Sequence, residues 1–147
     1  MATLISLDLQ AGKAPPEDRL KLLASVQLRQ KDEGAYRRTL EALLQHHSRP
    51  EYWGDRIARE QSLPDFPARL QIDALRLARK AGALEDKTEY VDLALLAAQA
   101  GLPGEALAVF DEGITKGVLG VGADADAHQR QRQKLAKAAS DRKSTRL

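Results

Sequence analysis

The chain has 147 residues, 43% hydrophobic and 30% charged, long enough for a core that hides about two-thirds of the unfolded chain's surface. It has no cysteine, which excludes a disulfide framework and a thiolate metal site, and no apolar run near the roughly 20 residues of a membrane span. The net charge of +2 is uneven: Gln129–Leu147 carries seven basic residues and one acidic, so the body is mildly acidic and the C-terminal end basic.

Aromatics are 4% of the chain and β-branched residues are sparse, so leucine and alanine must build the core, which favours closely packed helices over sheet. Leu4–Ala11 is the first element. Ile5, Leu7 and Leu9 alternate as in a strand, but the segment ends Gln10-Ala11-Gly12, just as a later helix ends Gln99-Ala100-Gly101, and it is read as helix. Lys80-Ala81-Gly82 is a third such stop, and three in one chain signal an internal repeat. Pro16–Gln30 follows as a helix with Leu20, Leu23 and Ala24 on one face. Asp32 is the expected N-cap of a helix running to about His47, whose apolar face is Tyr36, Leu40, Leu43 and Leu44.

Ser48 and Glu51 have capping-box spacing and are expected to open a helix carrying Trp53 and Ile57. After the SLPDFP loop, Asp65 is the expected cap of a helix with a buried stripe of Leu70, Ala74, Leu77 and Ala78. Asp86 and Glu89 form a second capping pair. They lead into a helix with Tyr90, Leu93, Ala94 and Ala97 at helical spacing, stopped by Gly101. Pro103 suits the first turn of the next helix, in which Ala106, Phe110 and Gly113 recur. VLGVGA is a turn-rich connection, and Asp124 to about Ser140 is a last, polar helix. Leu20, Leu23 and Ala24 precede Tyr90, Leu93 and Ala94 by one constant offset, about 70 positions or two units of about 35.

The Asp86–Gly117 stretch resembles one tetratricopeptide repeat. Tyr90 stands at the family's aromatic position, Leu93 and Ala94 at its leucine–small pair and Gly101 at its turn glycine. Ala106, Phe110 and Gly113 match its small, aromatic and small positions. Ala97 stands where the family has a tyrosine and Val118 where it has a proline. The resemblance implies an all-α fold of about seven helices, a right-handed superhelical stack of antiparallel helix pairs. Residues 1–140 are then expected as a single TPR-like α-solenoid domain, a fragment of a longer repeat protein, and residues 141–147 as a disordered basic tail. A non-enzymatic bacterial scaffold that binds a protein or peptide is the implied function.

In the family, ligands lie along the first helix of each pair. The matching positions are Lys21, Ser25, Leu28 and Arg29, with Asp18, in the earlier unit, and Thr88, Val91, Leu95, Ala98 and Gln99 in the later one. A carboxylate clamp is not expected, because Ser25 stands where an asparagine is needed. Two readings of Val91, Leu95 and Ala98 stand open: they line an apolar peptide groove, or they lie under a neighbouring helix.

No catalytic, cofactor or metal set emerges. His46 and His47 are adjacent, about 100° apart on a helix, and cannot chelate as an i, i+4 pair could. His128 is expected in solvent on its polar helix. No serine sits in a nucleophile elbow, and Gly117–Gly122 lacks phosphate-loop spacing. Arg130, Arg132, Lys134 and Lys137 could touch phosphates, yet no aromatic lies beside them to stack a base. The alternatives to a scaffold are a purely structural segment of a longer solenoid and, behind it, a nucleic-acid module. Leu4, Ile5 and Leu7 at an uncapped end are expected to favour self-association. The reading is of a soluble chain, with cytoplasm and periplasm both open.

Overall fold

The computed structural model describes residues 2–145. Among them are eight α-helices, two 3₁₀ turns and no strand. The helices are α1 (Ala2–Gln10), α2 (Glu17–Arg29), α3 (Glu33–His46), α4 (Pro50–Gln61), α5 (Gln71–Lys80), α6 (Lys87–Gln99), α7 (Pro103–Thr115) and α8 (Ala125–Thr145). The count exceeds the expected seven. Residues 141–145, expected as a disordered tail, are the last turn of α8, and residues 146–147 lie outside the described residues.

The chain divides into two compact units. One runs to Phe66 and includes Ala81–Ala83; the other holds Pro67–Lys80 and everything from Leu84. Each unit is a run of four helices, and the two runs keep one register. Moving α2 along the chain by the offset that takes Leu20 to Tyr90 gives the bounds of α6, and the same move carries the start of α3 onto that of α7. Burial repeats with it. Tyr36, Thr39, Leu40 and Leu43 are the buried residues of α3, and their counterparts at this repeat offset, Ala106, Val109, Phe110 and Gly113, are those of α7.

In the first unit, Ile5, Leu20, Ala24, Tyr36, Leu40, Leu43 and Tyr52 form the core. Ile5, expected at an open end, is therefore covered, while Leu4 and Leu7 are exposed. Leu23 and Leu44, both read as core-facing from their spacing, pack against the core half-buried. Thr39 donates from Oγ1 to Gln27 Oε1 at 2.7 Å, which satisfies two polar groups inside the α2–α3 hairpin. Their counterparts in the second unit are Val109 and Ala97, so one copy closes this layer with a hydrogen bond and the other with apolar contact.

In the second unit, Tyr90, Leu93, Ala94, Ala97, Ala106, Val109 and Phe110 are fully buried. The loop after α7 folds back and places Leu119 at 1% exposure. Gly113 makes room for it, because a Cβ there would lie 2.7 Å from Leu119 Cδ1. The α5 helix buries Leu75 and Ala78. The expected stripe is corrected here: Leu77 is 45% exposed, and Leu70 lies in the 3₁₀ turn before α5. Leu75 and Leu77 lie on nearly opposite sides of the helix, and packing against α6 decides which side is covered.

Helix ends follow local chemistry in most cases. Asp32 accepts from Ala35 N–H at 3.1 Å, and Asp86 and Glu89 form the expected capping box. Two other expected caps are absent. Asp65 caps no helix, and Pro67 precedes the 3₁₀ turn. Ser48 is not the N-cap of α4, which begins at Pro50 after Arg49; its Oγ accepts instead from Trp53 Nε1 at 3.0 Å.

Gly12, Gly82 and Gly101 all take positive φ, as the three Ala-Gly stops require. Lys31, the counterpart of Gly101 in the first unit, takes φ 57° without being glycine. A side chain in this region carries a cost that glycine does not. Lys31→Gly should therefore stabilise the chain by about 0.5–1 kcal/mol, read as a higher urea midpoint at unchanged slope.

Candidate functional site

The first helix of each hairpin presents an outward face in the same register. On α2, Lys21 and Arg29 are exposed, Leu28 is 41% exposed and Ser25 is half-buried. Asp18 is exposed at the helix start. On α6, Thr88 and Gln99 are exposed, Val91 and Ala98 half-buried and Leu95 42% exposed. Lys21 and Val91, Ser25 and Leu95, Leu28 and Ala98, and Arg29 and Gln99 are counterparts at the repeat offset. The cores of the two copies are alike in pattern, while these faces differ in chemistry.

Each of these helices is held at its start by an ion pair to the last helix region of its unit, with the signs exchanged. In the first unit, Arg49 grips Glu17 through Nε at 2.6 Å and Nη2 at 2.9 Å. Tyr52 donates its hydroxyl to the same carboxylate at 2.5 Å. In the second, Lys87, the counterpart of Glu17, lies 2.6 Å from Asp124. The Arg49 and Tyr52 hydrogen bonds lower the Glu17 carboxyl from its ordinary 4.5 to about 2. Burial and the bond to Glu17 push the Tyr52 hydroxyl up to about 12.

The sign for Glu17 follows from linkage. Its folded pKa is depressed, so its contribution is complete above pH 4.5 and is lost as pH falls through about 2. Glu17→Gln should flatten the acid limb of stability between those pH values. An unchanged acid limb in a pH series of urea midpoints would contradict the pair.

Beside α6 in the second unit lies a trough of about 440 Å³, lined by Leu95, Ala127, Arg130, Gln131, Lys134 and Leu135. Leu95 is thus the groove position that meets a neighbouring helix, α8, without being covered by it. Leu135 is buried at the floor, and Arg130 and Lys134 stand at the rim. Neither cation is in an ion pair among the described residues. Arg132, weighed with them as a residue that could touch phosphate, binds Asp111 at 2.6 Å instead. Lys137 is exposed and is not part of this trough.

His128, expected in solvent, is only 8% exposed and forms a T-shaped pair with Phe110, ring centroids 5.8 Å apart. Gly120 N–H donates to its Nδ1 at 3.0 Å, which places the ring hydrogen on Nε2. The spacing from His128 to Leu135 on an otherwise polar helix was the available signal, one residue every two turns. His47 Nε2 donates to the Pro15 carbonyl at 2.7 Å and ties the loop before α2 to the end of α3.

Compared with protein-family models, curated proteins and solved structures, the chain matches none. Among the described residues, no group of three His, Cys, Asp or Glu side chains is placed to hold a metal ion. No helix among them is long and apolar enough to cross a membrane.

Proposed function

We propose that this chain is a non-enzymatic scaffold of TPR-like helical hairpins that binds a protein or peptide along α2 and α6. The observation carrying this reading is the recurrence of one hairpin at a constant offset. Two copies retain the same register, the same buried positions on α3 and α7, and the same outward face on the first helix. A repeat that retains its core pattern and varies that face has the form of a binding array, in which the interior holds the shape and the surface selects the partner. The offset is also close to two tetratricopeptide periods of about 34 positions each.

The mechanism is complementarity alone. Lys21, Ser25, Leu28 and Arg29 offer a mixed basic and apolar face; Thr88, Val91, Leu95, Ala98 and Gln99 offer a mainly apolar one. A partner strand or helix on either face would bury the side chains of that face without covalent chemistry.

Amide exchange tests the reading. In a screen against a diverse peptide library, bound peptides should slow exchange in Glu17–Arg29 or Lys87–Gln99, while α3 and α7 keep their protection. Binders that protect other segments instead would refute it.

A further inference from the structure

The trough between α6 and α8 specifies the chemistry of its occupant. We infer that it binds an acidic peptide segment carrying one large apolar side chain, an inference resting on the scaffold reading above. Its apolar lining is Leu95, Ala127 and, deepest, the buried Leu135. Its rim carries Arg130 and Lys134 one turn apart on α8, both without a carboxylate partner among the described residues. Three other basic side chains of this unit are matched across helices: Arg76 is bidentate to Glu105 at 2.7 and 2.8 Å, Arg79 meets Glu112 at 2.8 Å and Arg132 meets Asp111, while Arg142 reaches the α6–α7 turn beside a separate recess. Two cations left over an apolar floor are complementary to carboxylates flanking a hydrophobic anchor.

The volume suits that occupant. About 440 Å³ accommodates a leucine- or phenylalanine-sized anchor together with the backbone on either side of it. Arg130 and Lys134 occupy i and i+4, about 6 Å apart along α8, the separation of carboxylates one helical turn apart on a docked peptide. Nucleic acid fits less well, because no aromatic lines the trough to stack a base. A bilayer fits less well too, because it needs a protruding apolar face and Leu135 lies at the bottom of a depression.

The test uses the full chain and defined probes. The first is a short helical peptide with glutamates one turn apart around a single leucine; its Glu→Gln and Leu→Ala versions are the controls. A single-stranded oligonucleotide and anionic phosphatidylserine vesicles complete the set. The acidic leucine peptide should bind, protect α6 and α8 amides from exchange, and weaken with added salt. Arg130→Gln with Lys134→Gln should cut its affinity about five- to tenfold, with circular dichroism unchanged because neither residue is in an ion pair. Leu95→Ala should weaken binding of the leucine peptide and not of its alanine control.

Equal binding of the neutral Glu→Gln peptide would overturn the acidic assignment and leave the scaffold reading intact. So would protection confined to α2. Tighter binding of the oligonucleotide or the vesicles through Arg130 and Lys134 would overturn the peptide assignment. Absence of binding by the acidic leucine peptide would overturn the inference, whereas the library screen bears separately on the scaffold.

Discussion

Phe110→Ala should cost about 3–5 kcal/mol, the largest single-residue loss in the second unit. Phe110 has no exposed surface and sits in α7 among Ala106, Val109 and Gly113, the other buried residues of its helix. Its ring forms a T-shaped pair with that of His128 of α8, so truncation removes an aromatic pair as well as volume. The surroundings cannot collapse easily, because Leu119 already fills the space that Gly113 leaves. Chemical denaturation followed by exchange of the α6 and α7 amides reads the loss in the unit that holds it, which matters for a chain of two compact units. A change below about 1 kcal/mol would mean that Phe110 does not anchor this unit.

Leu40→Ala should cost about 2–5 kcal/mol in the first unit. Leu40 is the counterpart of Phe110 and is 2% exposed, in the core with Leu20, Tyr36, Leu43 and Tyr52. Leu44, one turn further along the same helix, is half-buried and serves as the control; its truncation should cost about 1 kcal/mol. If the two substitutions cost the same, the register linking α3 to α7 does not reflect equivalent packing. If Leu40→Ala is the larger, corresponding positions of the two copies perform the same structural task with different side chains.

Much of the fold was legible because its causes are local. The Ala-Gly stops at Gly12, Gly82 and Gly101 signalled themselves, since each needs a backbone conformation that glycine takes without strain. The Asp86–Glu89 box was readable from its spacing, and the burial of Tyr90, Leu93, Ala94 and Ala97 from helical periodicity. The same rules misread Ser48, whose spacing to Glu51 was right. Its hydroxyl was recruited by Trp53, and Pro50 took the first helical position.

The candidate site was half legible. Leu95 could be placed on an outward face by register, but nothing near it in sequence announces Arg130 and Lys134, on another helix, as its neighbours. His128 likewise looked solvated because its own helix is polar; Phe110 and the Gly120 loop cover it.

From residue order and type alone follow the all-helical class, where most helices stop, and the offset at which one hairpin returns, since side-chain spacing and turn chemistry act over a few bonds. Which face of α5 is covered, which charges of α8 find partners and where a trough opens beside α6 were settled by packing between elements far apart in the chain. Burial is a property of the neighbours a side chain acquires, and those neighbours exist only once the helices have met.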